Sequence, residues 1–168
     1  MKLFFTYLII TIMAFNINAQ GFKERSFNAM ISTMLSHSVK EVRAKNLKYD
    51  STVLYLDARE VNEFNVSKIQ NAKWVGYDDF DLSRVENLDK NQEIIVYCSI
   101  GYRSEKVAEK LEADGFTNVT NMVGGVFSWV NYDNPLVDST KSETKKVHAF
   151  STAWGIWIDS KKAEKIYD

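Results

Sequence analysis

The chain has 168 residues, of which 45% are hydrophobic and 26% are charged, with a formal net charge of −1 at pH 7. This hydrophobic content is typical of a globular domain that builds its own core. The near-neutral charge indicates no basic face for nucleic acid, so no nucleic-acid partner is expected. A single cysteine, Cys98, excludes an internal disulfide.

The first 19 residues have the layout of a secretory signal peptide. Lys2 gives a short basic start, residues 3–15 form an almost unbroken apolar stretch, and Ala19 offers a small residue for cleavage. The apolar stretch is shorter than the roughly 20 residues of a transmembrane helix, so a permanent span is the weaker interpretation. The sequence therefore predicts an exported protein, periplasmic or secreted, whose mature chain begins near Gln20 and is either free or tethered.

The following residues alternate between helical and strand patterns. Apolar residues at helical spacing predict a helix over residues 27–35, within an N-terminal helical segment of residues 20–38. Predicted strands follow at residues 39–42, 53–56, 73–75, 93–97 and 119–122, and predicted helical segments at 44–48, 60–65, 104–114 and 124–129. Strands separated by helices predict an α/β fold with a parallel sheet flanked by helices. In such sheets the functional crevice lies at the carboxyl ends of the strands, where Asp57 and Cys98 are found.

The composition changes from residue 131 onward. Residues 131–146 are polar and contain the only proline, Pro135, which predicts a linker or a surface wrap. Residues 147–150 and 154–158 are apolar and aromatic. The preferred interpretation of residues 138–168 is a polar linker followed by a β-hairpin-like extension that covers the sheet edge or part of the core. The alternative is an aromatic docking surface for a protein partner or a ligand.

Cys98 opens a seven-residue segment, Cys-Ser-Ile-Gly-Tyr-Arg-Ser, between an apolar strand and the best predicted helix of the chain. At such a junction backbone N–H groups and the helix dipole favour an anion, and therefore the thiolate over the thiol. Arg103 adds a fixed positive charge. These features are typical of a reactive sulfur nucleophile.

Four features in this order resemble a single rhodanese domain, the fold of thiosulfate-type sulfurtransferases, over residues 39–137. They are Asp57-Ala58-Arg59 after a strand, Glu63-Phe64, the loop from Cys98 to Ser104, and Gly124-Gly125 with Trp129 downstream. The tripeptide Ser67-Lys68-Ile69 departs from the Gly-His-Ile that the family often has. The resemblance implies nothing for residues 138–168.

The resemblance implies a covalent, two-step transfer of sulfane sulfur through a persulfide of Cys98. The loop backbone would form a cradle of N–H groups around the sulfur, with Gly101 permitting an unusual backbone angle. Arg103 would attract an anionic donor such as thiosulfate, and a thiol, or cyanide in the test tube, would accept the sulfur. The expected substrate-binding residues are Ser99, Ile100, Gly101, Tyr102, Arg103 and Ser104.

Asp57 and Arg59 are interpreted as an ion pair near the strand ends that serves as scaffolding or, as the alternative, orients the active loop. A spacing of four residues also allows Arg59 to pair with Glu63. His37 and His148 lie far apart in the sequence and have no positional support as catalytic or metal-binding groups. No metal and no cofactor are expected. The resemblance implies a small-molecule sulfur donor and a thiol or cyanide acceptor as partners.

Two other functions stay open. A phosphatase or arsenate reductase would use a related cysteine–arginine loop, but four residues separate Cys98 from Arg103 here, one fewer than in those enzymes. A shorter cradle suits one sulfur atom better than a tetrahedral phosphate. The other alternative is a non-catalytic rhodanese-like module that binds a partner or carries persulfide.

Overall fold

The computed structural model describes residues 21–167. Helix α1 covers residues 21–34, and the later helices are α2 (Val61–Val66), α3 (Tyr102–Ala113), α4 (Gly125–Asn131) and α5 (Thr152–Gly155). The strands are β1 (Glu41–Arg43), β2 (Leu54–Asp57), β3 (Lys73–Trp74), β4 (Ile94–Tyr97), β5 (Val119–Val123), β6 (Leu136–Val137), β7 (Glu143–Thr144), β8 (Lys146–His148) and β9 (Glu164–Ile166). Two short 3-10 helices cover Ala44–Asn46 and Leu82–Val85.

Five of the strands form one parallel sheet in the order β1-β5-β4-β2-β3. Strand β4 lies in its centre, and all four of its residues are buried. Successive residues of β4 alternate between two core clusters on opposite faces of the sheet: Ile95 belongs to one and Val96 to the other. Because both faces of a parallel sheet are covered, its strands are continuous apolar runs rather than alternating ones.

The two faces of the sheet are covered by different elements. Helix α3 packs on one face through Val107, Ala108 and Leu111. Helices α1 and α4 and the C-terminal segment pack on the other, in a cluster that includes Ile31 and Trp129. The predicted α/β fold with a parallel sheet flanked by helices is therefore confirmed, and each strand and helix predicted between residues 39 and 131 has a counterpart.

The C-terminal extension differs from its prediction. Strands β8 and β9 pair in parallel, with Val147 opposite Lys165, so the predicted hairpin is wrong. A parallel pair needs a crossover connection, and residues 149–163 supply it. Part of this stretch is helical because the Ser151 hydroxyl accepts a hydrogen bond from the backbone N–H of Trp154, which starts helix α5 where a second hairpin strand was predicted.

The extension nevertheless covers part of the core, as the preferred interpretation holds. Val147, Ala149 and Ile158 are buried in the cluster that contains Trp129. The Asn131 side chain fastens the connection, since its amide donates to the Trp157 carbonyl at 2.9 Å and its carbonyl accepts from the Asp159 N–H at 2.8 Å. Residues 131–146 are more than a surface wrap, because β6 is buried and pairs antiparallel with β7.

The predicted signal peptide, residues 1–19, lies outside the described residues, and export stays a prediction. Between residues 21 and 167 no helix is long and apolar enough to cross a bilayer.

Candidate active site

Cys98 follows β4 directly and starts the loop that leads into α3. Its side chain is only 1% exposed. Gly101 caps the helix with φ at +117°, a left-handed conformation that favours glycine. In this conformation the Gly101 N–H donates to the Cys98 Sγ at 3.1 Å. The loop thus directs one backbone donor, the Gly101 N–H, at the sulfur.

The carbonyl groups of the loop are held by neighbouring elements. Backbone N–H groups donate to three of them: Val126 to Cys98 at 2.9 Å, Phe127 to Ser99 at 3.2 Å, and Gly124 to Ile100 at 2.9 Å. The Asn121 side-chain amide donates to the fourth, the Gly101 carbonyl, at 3.1 Å. Since the N–H and C=O of a trans peptide point in opposite directions, the amides of the same peptides are turned away from β5 and α4. This explains how the Gly101 amide comes to face the sulfur.

The Gly124-Gly125 pair follows from the same packing. A Cβ on Gly125 would lie 2.3 Å from the Cys98 carbonyl oxygen, and Gly125 has φ at +50°. Only glycine therefore lets the start of α4 approach the loop closely enough to bind its carbonyl groups. The sequence motif marks a backbone contact rather than a substrate contact.

A hydrogen bond between Ser104 and Asn121 connects the first turn of α3 to β5. The Ser104 hydroxyl donates to the Asn121 side-chain oxygen at 2.7 Å, and both residues are fully buried. The structure therefore places Ser104, predicted to bind substrate, next to β5. The sequence pattern did not single out Asn121. The signal that could have revealed it is a polar side chain inside a predicted buried strand, since such a side chain needs a hydrogen-bond partner.

Arg103 is held by Glu63 across the mouth of the loop. Its Nη1 and Nη2 donate to the two Glu63 oxygens at 2.6 and 2.8 Å, and Nη2 also donates to the Ser99 hydroxyl at 2.9 Å. Burial acts to raise the pKa of Glu63, but the hydrogen bonds and charge of Arg103 outweigh it, so this pKa is lowered. Glu63 is thus an anion that compensates the charge of Arg103.

Asp57 and Arg59 form a second ion pair that is fully buried. The guanidinium makes Nε–Oδ1 and Nη2–Oδ2 hydrogen bonds of 2.9 and 2.6 Å, and Nη2 also donates to the Ser67 carbonyl at 2.6 Å. Of the two partners that the sequence offered Arg59, Asp57 is the one it binds and Glu63 is not, because Arg59 turns back toward the end of β2. This pair joins β2 to the segment after α2 and fits a scaffolding role.

A cavity of about 140 Å³ opens onto the loop. Its lining consists of Cys98, Ser99, Ile100, Tyr102 and Arg103 from the loop, together with Met34 from α1 and Phe150 and Trp154 from the C-terminal extension. The extension thus contributes two aromatic residues directly to the site; the sequence offered an aromatic surface for a ligand only as the alternative interpretation of this segment. Neither histidine lines this cavity, and in the described part of the chain no group of three His, Cys, Asp or Glu residues is arranged to hold a metal ion.

Comparison with known proteins gives a consistent picture of the domain. A family model described as the rhodanese-like domain matches residues 38–132. A tRNA uridine(34) hydroxylase from Sodalis glossinidius is 29% identical over 116 residues, which cover 66% of this chain and 32% of that protein. YrkF of Bacillus subtilis, named as a candidate sulfur carrier protein, is 31% identical over 80 residues, which cover 48% of this chain and 43% of that protein. The chain thus spans less than half the length of either relative.

Two solved structures share the fold. A rhodanese-like domain from Anabaena sp. aligns with a TM-score of 0.55 and 22% identity, covering 62% of this chain and 83% of that one. A rhodanese-related protein from Thermoplasma volcanium aligns with a TM-score of 0.50 and 25% identity, covering 59% of this chain and 98% of that one. Both alignments leave more than a third of this chain uncovered.

Proposed function

This chain belongs to the rhodanese-like domain family, and from that membership and the site geometry we propose that it is a sulfurtransferase that carries sulfane sulfur on Cys98. One observation carries the proposal: the Sγ atom of Cys98 accepts a hydrogen bond from the Gly101 amide at 3.1 Å at the base of an open cavity. The nucleophile of sulfur exchange is a thiolate, and the loop offers this sulfur a backbone hydrogen-bond donor.

The proposed reaction has two steps. In the first, the Cys98 thiolate attacks the outer sulfur of thiosulfate, the sulfur–sulfur bond of the donor breaks, and sulfite leaves with the electron pair. In the second, a thiolate or cyanide attacks the outer sulfur of the Cys98 persulfide and releases the original thiolate. No external oxidant or reductant is consumed. With a thiol acceptor each step exchanges one sulfur–sulfur bond for another, and with cyanide the second step replaces the sulfur–sulfur bond by the sulfur–carbon bond of thiocyanate.

The loop residues have distinct proposed roles. Gly101 provides the donor to the sulfur, and Ser99, Ile100 and Tyr102 line the cavity that the substrate enters. Arg103 stabilises negative charge on the departing group, although its ion pair with Glu63 already compensates part of its own charge. Ser104, Asp57 and Arg59 position the loop without contacting the substrate.

Intact-mass measurement tests the proposal directly. Incubation with thiosulfate is expected to add one sulfur atom to the protein, cyanide is expected to remove it as thiocyanate, and the Cys98→Ser variant is expected to gain none. Because Cys98 is the only cysteine, the site of modification needs no further mapping. If neither thiosulfate nor another sulfane donor adds sulfur to the folded wild-type protein, the proposal is wrong.

A persulfide carrier without turnover is the second candidate, and the similarity to YrkF of Bacillus subtilis supports it. The two functions differ in the number of catalytic cycles that each protein molecule completes. A sulfurtransferase releases many equivalents of thiocyanate per protein molecule when thiosulfate and cyanide are both in excess, whereas a carrier that its donor partner must load releases at most one.

A further inference from the structure

We propose that the sulfur compound that exchanges with Cys98 has an apolar organic body and that Phe150 selects it. This inference rests on the proposed sulfur transfer and names its substrate class. It concerns a wall of the site that the family match does not include, since Met34, Phe150 and Trp154 all lie outside residues 38–132.

The first step is the shape and chemistry of the cavity. Its volume is about 140 Å³, and most of its lining is apolar or aromatic: Met34, Ile100, Tyr102, Phe150 and Trp154. An apolar cavity of roughly 150 Å³ is large enough to hold a benzene ring. There is room beside Cys98 for a ring or a branched aliphatic group, and contact with such a group would remove apolar surface from water on both sides.

The second step is charge. Among the described residues that line the cavity, Arg103 carries the only positive charge. Glu63 accepts hydrogen bonds from both terminal nitrogens of Arg103, and Glu60 places another carboxylate oxygen 3.7 Å from Nη1. A small dianion such as thiosulfate would lose hydration here without meeting an uncompensated cation. An organic donor whose body is apolar avoids most of that loss.

The third step is the placement of Phe150. Its ring lies beside the guanidinium of Arg103, with 5.4 Å between the guanidinium carbon and the ring centroid, and the residue is 52% exposed. Its φ is +64°, a conformation that aromatic residues rarely adopt. Hydrogen bonds hold it there: the Phe150 N–H donates to the His148 Nδ1 at 3.2 Å, and the Ser151 N–H donates to the Ala149 carbonyl at 2.7 Å.

Core packing does not explain this arrangement, because about half of the surface of Phe150 faces solvent. A strained turn that presents an aromatic ring to a cavity with a candidate nucleophile is the kind of outlier that marks a functional contact. We therefore assign Phe150 as a specificity-determining residue.

The reaction with an organic hydropersulfide balances without a further reactant. The Cys98 thiolate attacks the outer sulfur, the sulfur–sulfur bond of the donor breaks, and the organic thiolate leaves with the electron pair. The outer sulfur keeps its proton and becomes the terminal atom of the Cys98 persulfide. In this step only the outer sulfur of the donor is transferred, while its apolar body stays in the cavity.

The test uses two donors with the same charge and the same transferable sulfur: benzenethiosulfonate and methanethiosulfonate. Each gives its outer sulfur to Cys98 and releases a sulfinate, so the donors differ mainly in their organic bodies. The kcat/KM of each donor is measured from the thiocyanate formed in excess cyanide. The ratio of the two kcat/KM values is then divided by the ratio of the rates at which the donors react with a small free thiol, which corrects for their intrinsic reactivities. The wild-type protein is expected to favour the aromatic donor at least 10-fold after this correction.

Substitution then locates the preference. Phe150→Asn keeps a residue that tolerates the left-handed backbone and removes the ring, so most of the preference should be lost. Ile156→Asn is the matched control, because Ile156 is 56% exposed in the same extension and does not line the cavity. Met34→Gln, on α1 rather than in the extension, provides a second variant that does not depend on the strained turn and should reduce the preference in the same direction.

The outcomes separate the two proposals. A wild-type protein with equal corrected rates, or a preference that survives both cavity substitutions, overturns this inference while leaving sulfur transfer in place. A protein with no Cys98-dependent transfer from either thiosulfonate or from thiosulfate overturns the proposed function, and this inference with it.

Discussion

The carboxylate of Glu63 on α2 receives two hydrogen bonds, of 2.6 and 2.8 Å, from the guanidinium of Arg103 on α3. The Ser99 hydroxyl joins both groups, since it donates to Glu63 at 2.9 Å and accepts from Arg103 at 2.9 Å. The three side chains form one buried network that connects α2 to both ends of the loop after Cys98. This network fixes the loop and limits the charge that the site can offer to an anion.

Glu63→Gln tests the network through the pH dependence of stability. Removing one partner of a buried ion pair typically costs about 3–5 kcal/mol, so the variant should unfold at a clearly lower urea concentration at pH 7. The folded state lowers the pKa of Glu63 despite the opposing effect of burial. Its stabilising contribution is therefore present above the unfolded pKa of about 4.3 and is lost as the pH falls through the folded pKa.

The free energies of unfolding of wild type and Glu63→Gln should thus differ most near neutral pH and converge in acid. Urea titrations between pH 7 and pH 3 measure the difference. Glu112→Gln, an exposed carboxylate on α3, is the control and should change stability by less than about 0.5 kcal/mol. A Glu63→Gln deficit that stays constant down to pH 3 would show that the carboxylate charge does not stabilise the loop.

Asp57→Asn should destabilise the fold far more than an equivalent change at the surface. Asp57 and Arg59 are both fully buried, and breaking such a pair leaves an uncompensated charge, at a cost of about 3–5 kcal/mol. Asp79 makes a similar contact with Arg84 at 2.8 Å, but both side chains are partly exposed, so Asp79→Asn should cost less than about 1 kcal/mol. Denaturant midpoints of the two variants check this, and equal midpoints would contradict the proposed scaffolding role.

Two isoleucines in the extension, one buried and one exposed, test whether the extension stabilises the core. Ile158 is buried at 1% exposure in the cluster with Trp129, whereas Ile156 is exposed. Ile158→Ala should therefore cost about 2–5 kcal/mol in unfolding free energy, and Ile156→Ala less than about 0.5 kcal/mol. Thermal melts monitored by circular dichroism compare them. If Ile158→Ala keeps the wild-type melting temperature, the extension does not stabilise the core.

The sequence predicted the elements well where local pattern and tertiary position agree. Strand β4 is an apolar run because both of its faces are covered, and this run made the position of Cys98 at its carboxyl end predictable. The Gly124-Gly125 pair was also recognisable, and the structure adds its physical reason, which is the close approach of α4 to the loop.

Features that depend on distant residues could not be predicted in this way. Spacing along a helix suggested that Glu63 pairs with Arg59, but its partner is Arg103, 40 residues away, because α2 and α3 meet only in the folded chain. The extension has a strand pattern at residues 154–158, yet the Ser151 cap starts helix α5 (Thr152–Gly155), and residues 156–158 form no strand. The left-handed turn at Phe150, which brings an aromatic ring to the cavity, has no signature in the local sequence.

The length of the loop between Cys98 and Arg103 is expected to favour sulfur over phosphate. A transferred phosphoryl group carries three equatorial oxygens that need well-placed donors. Here the Gly101 amide is directed at the sulfur, and Arg103 is engaged by Glu63. We therefore expect Cys98-dependent sulfur transfer and negligible hydrolysis of an aryl phosphate, measured as initial rates on both substrates with one preparation and with Cys98→Ser as the blank.

Lengthening the loop tests the cause of this preference. A glycine inserted between Gly101 and Tyr102 should disturb the Gly101 carbonyl, which accepts from the Asn121 amide at 3.1 Å, and with it the amide that donates to Cys98. Loss of one well-placed donor typically lowers a rate by about 10²–10³, so sulfur transfer should fall to that extent. A glycine inserted between Lys141 and Ser142, in the exposed turn between β6 and β7, should leave it unchanged. If the unmodified loop hydrolyses the phosphate faster than it transfers sulfur, the order of the two functions is reversed.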